Sequence, residues 1–165
     1  MTTTEPFVIE SPAERDRPWR ILAGGDRTGG VVAFGSADVP PHSPGPGRHV
    51  HTHEDEAVYV ISGVLSFCIG ERRFDAGPQT LVWMPRQVPH VFANLSGEPV
   101  RAFGVITPSG LEDMFAEQEA YFATLTGEPD IAALHALSAR YGVLPVEGPP
   151  LSPIPCSGTC ADAVR

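Results

Sequence analysis

Between residues 48 and 107 the sequence consists of short runs of alternating apolar and polar residues, separated by glycine, proline and other turn residues. Alternation with a period of two puts the apolar side chains of each run on one face, as in a half-buried β-strand. The whole chain carries 17 glycines and 18 prolines among its 165 residues, so it turns too often for a helical bundle. The pattern predicts an all-β sandwich or barrel with strands at 48–53, 57–62, 64–69, 72–74, 80–84, 89–93 and 99–106.

The residues before this region extend the predicted barrel. Two further strands are expected at Trp19–Ala23 and Val31–Gly35, joined by a glycine-rich turn. Residues 1–18 are predicted to form an extended arm with one short strand around Phe7–Ile9. The predicted barrel domain therefore spans residues 19–108.

Beyond the barrel the apolar residues recur with the period of a helix. A first helix is expected to begin at a capping box formed by Ser109 and Glu112, and a second helix near Asp130. Both are amphipathic, which predicts that they pack on the outside of the barrel or on a partner subunit. The apolar face of the second helix is predicted to consist of Ile131, Leu134, Leu137 and Tyr141. We therefore predict a helical extension at residues 109–142 and an irregular tail at residues 143–165.

The charge and hydropathy of the chain argue against two classes of partner. Eleven basic residues against twenty acidic ones give a net charge of −9, and every basic residue is arginine. We therefore expect no nucleic-acid partner. The N-terminus lacks the basic start and apolar run of a secretory signal, and no apolar stretch is long enough to cross a bilayer. We expect a cytoplasmic protein with no membrane partner.

The three cysteines fit a cytoplasmic chain. Cys68 lies in a predicted strand and is expected to be a small buried apolar residue. Cys156 and Cys160 lie four residues apart in the tail, where either a disulfide or a metal pair could form. We assign them no function.

Five of the six histidines lie between His42 and His90, and three of them form the sequence His49-Val-His51-Thr-His53. On a strand these three side chains would point to the same face. Neutral imidazoles that converge with a carboxylate such as Glu56 make a site for a divalent metal. Alternation alone does not decide which of the three histidines would be ligands.

Two histidine motifs resemble those of the cupin superfamily. In the first, His49 and His51 are followed after four residues by Glu56 and after six more by Gly63. By this count His53 lies outside the ligand set. The second motif covers residues 85–94, with His90 and Asn94 at the expected positions. Where the superfamily has two turn glycines, this sequence has Gln79 and Gln87, which questions the shape of those turns.

The resemblance implies a cupin β-barrel of the jelly-roll type that binds one divalent transition metal through His49, His51, Glu56 and His90. The metal would be Fe, Mn, Ni, Co, Cu or Zn, which the donor set does not distinguish. Strand parity places Val58, Val60 and Phe92 on the inner wall, where they would either contact an organic substrate or simply fill the core. Parity also puts only one of Trp83 and Met84 inside.

A narrower resemblance concerns residues 53–63 and 136–151, which look like those of quercetin 2,3-dioxygenase-like cupins. It implies a dioxygenase that acts on a phenolic or enolic small molecule, such as a flavonol or a polyketide, with dioxygen as co-substrate. Glu56 would then bind the metal and also accept the substrate's hydroxyl proton, provided that burial raises its pKa.

Two other functions remain open. A non-redox cupin would use the metal as a Lewis acid in an isomerase, cyclase or decarboxylase, whereas a ligand-binding cupin would use it only to brace the barrel. Arg48, Arg86 or Arg101 turned inward would favour a carboxylate substrate and hence the non-redox enzyme. We also expect a homodimer, paired through edge strands or an exchanged N-terminal arm.

The two remaining histidines are given no part in the chemistry. His42 lies in a proline-rich loop and is expected to be solvated. His135 lies on the second helix and is expected to be structural.

Overall fold

The computed structural model describes residues 5–10, 19–148 and 151–152, and within these ranges the chain forms ten strands and three helices. In chain order they are β1 (Trp19–Ala23), α1 (Gly25–Thr28), β2 (Ala33–Val39), β3 (His49–His51), β4 (Asp55–Ser62), β5 (Leu65–Ile69), β6 (Arg72–Ala76), β7 (Thr80–Met84), β8 (His90–Ala93), β9 (Val100–Thr107), α2 (Leu111–Ala123), α3 (Ile131–Arg140) and β10 (Val143–Pro145).

The strands form two five-stranded antiparallel sheets. The first has the order β1-β2-β9-β4-β7 and the second has the order β10-β3-β8-β5-β6. Their inward side chains form one core, with contributions from β2, β4, β7 and β9 of the first sheet and from β5 and β6 of the second. This jelly-roll arrangement with two helices near its C-terminal end confirms the predicted fold class.

Each of the nine strands predicted from residue 19 onward is present, with some ends shifted. β2 begins two residues later than predicted and continues to Val39. β3 ends at His51, two residues before the predicted end. The short strand expected around Phe7–Ile9 does not form, since residues 5–10 have no regular secondary structure.

Two predicted irregular segments contain regular structure. The glycine-rich turn after β1 includes one helical turn, Gly25–Thr28. The prediction of an irregular tail from residue 143 is wrong for Val143–Pro145, which form β10 and pair with β3. Three residues ending in a proline are too few to show a period-two pattern, and the strand exists because β3 offers it a free edge. Cys156 and Cys160 lie outside the described residues.

Gln79 and Gln87 occupy the two turns where glycines were expected. Their φ angles are 65° and 66°, in the left-handed region that favours glycine. The Gln79 N–H donates to the Val60 carbonyl, and the Gln87 N–H donates to the His51 carbonyl, both at 2.8 Å. The turn shape is therefore retained without glycine.

The two longer helices cover one end of the sheets. Leu111 and Met114 of α2 pack with three strand residues, Ala33, Ile106 and Val143. Leu137 of α3 and Tyr141, which follows α3, are partly buried against the same cluster. The predicted apolar face of α3 is wrong at Ile131, which is 56% exposed. The helices thus pack on strands of their own chain.

The capping of α2 differs from the prediction, because Gly110 is its N-cap and Ser109 makes no capping bond. Glu112 does reach back, accepting the N–H of Gly110 at 2.7 Å and that of Gly25 at 2.6 Å. Asp130 caps α3 by accepting the Ala133 N–H. None of the helices in the described ranges combines the length and apolar character needed to cross a bilayer.

Candidate metal centre

Four polar side chains from three strands meet between the two sheets. His49 and His51 lie on β3, and His90 lies on β8, directly opposite His49 in the same sheet. Glu56 lies on β4 and reaches them from the other sheet. Each residue offers one ligand atom, and these four atoms lie within 4.8 Å of one another. The group could therefore hold a metal ion.

The ring nitrogens of the three histidines are arranged around a common point. The Nε2 atoms of His49 and His51 are 3.0 Å apart. Oε2 of Glu56 lies 3.8 Å from Nε2 of His51 and 3.6 Å from Nε2 of His90. His51, Glu56 and His90 are buried, and His49 is half-buried. The candidate ligand atoms of these four residues are thus largely shielded from water and face each other.

Backbone carbonyls determine which nitrogen carries the proton in two of the rings. Nδ1 of His49 lies 2.7 Å from the Gly47 carbonyl oxygen, and Nδ1 of His90 lies 2.9 Å from that of Val88. Because a carbonyl can only accept, each Nδ1 is the donor and each neutral ring presents the Nε2 lone pair to the centre. This is the tautomer that a metal ligand requires.

The protonation states also suit metal binding. Burial lowers the pKa of His51 from its ordinary 6.5 to about 4, against the opposing effect of Glu56. Burial and the neighbouring His90 also lower the pKa of His49. Burial of Glu56 opposes its ionisation, but the three imidazoles outweigh it and its pKa lies below the ordinary value. The condition of a raised pKa is therefore not met, because the imidazoles lower the pKa of Glu56 by more than burial raises it.

The residues present fit a divalent transition metal. Three imidazole nitrogens and one carboxylate oxygen are ligands shared by Fe, Mn, Ni, Co, Cu and Zn sites. Nε2 of His90 is buried without a hydrogen-bond partner, and two Nε2 atoms 3.0 Å apart would otherwise share at most one proton. A cation bound by these atoms would satisfy them all. The donor set does not determine which metal is bound.

The structure separates His53 from the other histidines of its run. β3 ends at His51, so the period of two does not continue, and the exposed His53 contacts Thr52 Oγ1 at 2.9 Å. His49, not His53, therefore belongs to the four-residue group. His42 and His135 are exposed on a loop and on α3.

The side chains predicted to line the interior have the expected orientation. Val58 and Val60 are buried in the core between the sheets, and Phe92 is partly buried against it. Met84 is buried and pairs across the strands with Glu56, whereas Trp83 is half exposed on the other face. A role for Val58, Val60 and Phe92 in substrate binding stays a prediction.

The three arginines considered for a carboxylate substrate all bind elsewhere. Arg48 donates to Cys68 Sγ and to the Gly70 carbonyl. Arg86 forms an ion pair with Asp55 at 2.7 Å, and Arg101 lies 3.6 Å from Asp38.

Sequence reasoning missed Glu54. Its carboxylate is buried, with Oε2 3.9 Å from Nδ1 of His51, on the side of the ring away from the centre. Burial raises the pKa of Glu54.

Asn94, which belongs to the second motif, has a different role, because its buried amide donates to the carbonyls of Val39, Pro40 and Glu98 and so joins two loops.

Residues 35–106 match the family model described as Cupin domain. Solved structures with a similar fold include KdgF from Halomonas sp., with 14% identity and a TM-score of 0.52, covering 61% of this chain and 88% of that one. A predicted oxalate decarboxylase from Thermotoga maritima has 19% identity and a TM-score of 0.52, covering 55% of this chain and 78% of that one. Curated proteins give no match to the sequence. At these identities the two structures show the fold alone.

The free energy of unfolding of the metal-free protein is expected to fall as the pH is lowered from 7 to 4.5. With a folded pKa of about 4 against 6.5, His51 binds a proton in the unfolded chain before it does in the folded one. Stability is therefore lost as the pH drops through 6.5, and the loss levels off near 4. His51 alone accounts for on the order of 3 kcal/mol, and His49 acts in the same direction.

Urea unfolding at a series of pH values, with a chelator present, measures this slope. His51→Gln should flatten it. His135→Gln, which changes an exposed histidine on α3, should leave it unchanged. A wild-type stability that stays constant from pH 7 to 4.5 would contradict the assignment of buried neutral imidazoles.

Proposed function

We propose that this chain, whose residues 35–106 match the cupin domain model, is a metal-dependent dioxygenase acting on a phenolic or enolic small molecule, such as a flavonol or a polyketide. The observation that carries the proposal is the convergence of His49, His51, His90 and Glu56 between the sheets. A divalent transition metal held there would supply Lewis acidity and, in a redox-active form, a path for electrons between substrate and dioxygen.

Glu56 is the proposed proton acceptor. It is the carboxylate of the four-residue group, and its lowered pKa keeps it ionised at neutral pH. A carboxylate with a lowered pKa is a weak base, so the proton transfer would depend on the metal, which would make a bound phenol or enol hydroxyl more acidic. The three histidines would hold their positions while Glu56 takes the hydroxyl proton.

The surroundings of the group support an apolar, uncharged substrate. Val58, Val60 and Met84 are buried on the inner face of the first sheet, and Phe92 packs on the same core from the second. Such a wall suits a flat aromatic molecule. The arginines that would have favoured a carboxylate are bound to other groups.

A non-redox reaction is the second candidate. The same donor set binds Zn²⁺, which exchanges no electrons and acts only as a Lewis acid. An isomerase, cyclase or decarboxylase would then be the activity. The fold neighbour from Thermotoga maritima carries the description of an oxalate decarboxylase, although its 19% identity gives no evidence on the activity of this chain.

Oxygen uptake distinguishes the two functions. Chelator-treated protein reloaded with Fe²⁺, Mn²⁺, Co²⁺, Ni²⁺ or Cu²⁺ is expected to consume dioxygen only when a flavonol is added. His90→Ala should abolish this uptake because it removes a ligand, while His53→Ala should retain it because His53 is exposed and outside the group.

Turnover of a small hydroxy acid or sugar acid without oxygen uptake would favour the non-redox enzyme. Absence of turnover with every metal and both substrate classes would leave a ligand-binding cupin.

We also propose that the chain forms a homodimer through the outer face of the first sheet. Leu81 and Trp83 of β7 are 65% and 51% exposed there. They lie opposite Tyr59 and Ala57 of β4, and Phe103 of β9 continues the apolar row. Leu81, Trp83 and the 39% exposed Tyr59 thus form a cluster of exposed apolar side chains, which is typical of a protein interface.

The charge of the chain favours a second copy as the occupant of this face. Two copies with a net charge of −9 repel each other over most of their surfaces. On this face Asp55 is paired with Arg86, and Asp38 lies beside Arg101. The face is thus close to neutral, and two copies can meet there with little repulsion. Pairing through edge strands or an exchanged N-terminal arm stays the alternative prediction from the sequence.

Light scattering tests the dimer and its interface. The wild type is expected to have the mass of two chains, and Trp83→Arg the mass of one. Phe122→Arg places the same charge on an exposed aromatic of α2 and should remain dimeric. A monomeric wild type, or equal dissociation of both variants, would contradict the proposal.

A further inference from the structure

The three histidines of the metal centre differ in what holds their outer nitrogens. Nδ1 of His49 and Nδ1 of His90 each donate to a backbone carbonyl within 3 Å. Nδ1 of His51 is buried and has no hydrogen-bond partner. One ring of the three therefore lacks the contact that determines its tautomer.

The carboxylate beside that nitrogen, from Glu54, also has one oxygen without a hydrogen-bond partner among the described residues. Oε2 of Glu54 is buried and makes no hydrogen bond, and it lies 3.9 Å from Nδ1 of His51. Only 7% of Glu54 is exposed. Two buried polar atoms without partners are costly, and a shift of about 1 Å would join them in a hydrogen bond.

The backbone around His51 keeps Glu54 in this place. The Gln87 N–H donates to the His51 carbonyl, and the Thr52 N–H donates to the Gly142 carbonyl. The side-chain amide of Gln87 donates to the Thr52 carbonyl at 2.8 Å. These three hydrogen bonds fix the backbone of His51 and Thr52, so the Glu54 carboxylate stays beside the His51 ring.

The inner nitrogen of His51 makes the choice of tautomer important. Nε2 of His51 lies 3.0 Å from Nε2 of His49, whose lone pair faces it. A neutral His51 ring could therefore place its proton on Nε2 and donate to His49, which would block metal binding. An acceptor at Nδ1 favours the other tautomer, with the Nε2 lone pair free.

We propose that Glu54 is a positioning residue of the metal centre, which accepts the Nδ1–H of His51 and thereby keeps its Nε2 free to bind the metal. This inference rests on the proposed metal-binding function and assigns to Glu54 the role that the Gly47 and Val88 carbonyls have for the other two rings.

Metal affinity is the first test, with Co²⁺ alone as the probe and a competing chelator to measure Kd. Glu54→Ala is expected to weaken binding by about 10- to 100-fold, the usual cost of removing an outer partner of a metal-bound histidine. Glu54→Gln should lose less, because its amide oxygen still accepts the Nδ1–H. Asp55→Asn removes the same charge one residue along, from a carboxylate bound to Arg86, and should change Kd less than twofold.

The tautomer of His51 is the second test, and it needs no metal. In ¹⁵N NMR spectra of the metal-free wild type, His51 is expected as the Nδ1–H form. In Glu54→Ala it should shift towards the Nε2–H form, which donates to His49, and Glu54→Gln should largely restore the wild-type pattern. A structural role in packing alone would not move the proton.

Two results would overturn the inference: a Glu54→Ala variant that binds Co²⁺ as tightly as Asp55→Asn, or one whose His51 remains in the Nδ1–H form. A wild type that does not bind Co²⁺ would instead refute the metal-binding function, and the NMR comparison would still decide the role of Glu54. If Glu54→Ala does not fold, Glu54→Leu, which nearly preserves the shape but has no acceptor, replaces it in both measurements and is expected to give the same losses.

Discussion

Burial of three imidazoles and one carboxylate between two apolar sheets is the constraint on which the rest of this structure depends. The inward positions around them hold valine, alanine, methionine and phenylalanine. Polar atoms in such surroundings cost free energy unless they are paired, and Nε2 of His90 has no hydrogen-bond partner among the described residues. A cation shared by the four residues would remove this cost. The lowered pKa values of His49, His51 and Glu56 favour the protonation states that a cation requires.

The C-terminal part of the chain supports the short strand that carries two of the candidate ligands. β3 has three residues and is paired with β8 only through His49 and His90. Its other edge pairs with β10 at all three positions, including Val143 opposite His51. Without β10, β3 would be an edge strand held at one point. The helices before β10, which pack on the same end of the sheets, therefore return the chain to the candidate metal centre.

Much of this arrangement could be predicted, because it follows from repeating periods. Alternation located nine strands, and the resemblance to the two cupin motifs, rather than alternation, selected His49, His51, Glu56 and His90, which the structure brings together. Features that depend on where a period stops could not be predicted. His53 continues the alternation in sequence, but β3 ends before it, so its side chain is exposed.

Other features depend on contacts between parts of the chain that are distant in sequence. β10 is defined by its partner strand more than by its own three residues. Glu54 lies in a turn, where no period gives the direction of a side chain. Its position depends on hydrogen bonds that Gln87 donates and that the Gly142 carbonyl accepts. The lowered pKa of Glu56 is the sum of opposing effects from burial and three neighbouring rings. Distances between these groups, which the sequence does not contain, decide the sign of that sum.

The measurement that tests the central claim most directly is the elemental analysis of the purified, chelator-washed protein beside a His51→Ala variant. The account predicts about one transition-metal ion per chain in the wild type and a small fraction of that in the variant. Circular dichroism of both proteins would show that the variant remains folded. A wild type without stoichiometric metal, or equal metal in the two proteins, would contradict the claim that these four residues form a metal centre.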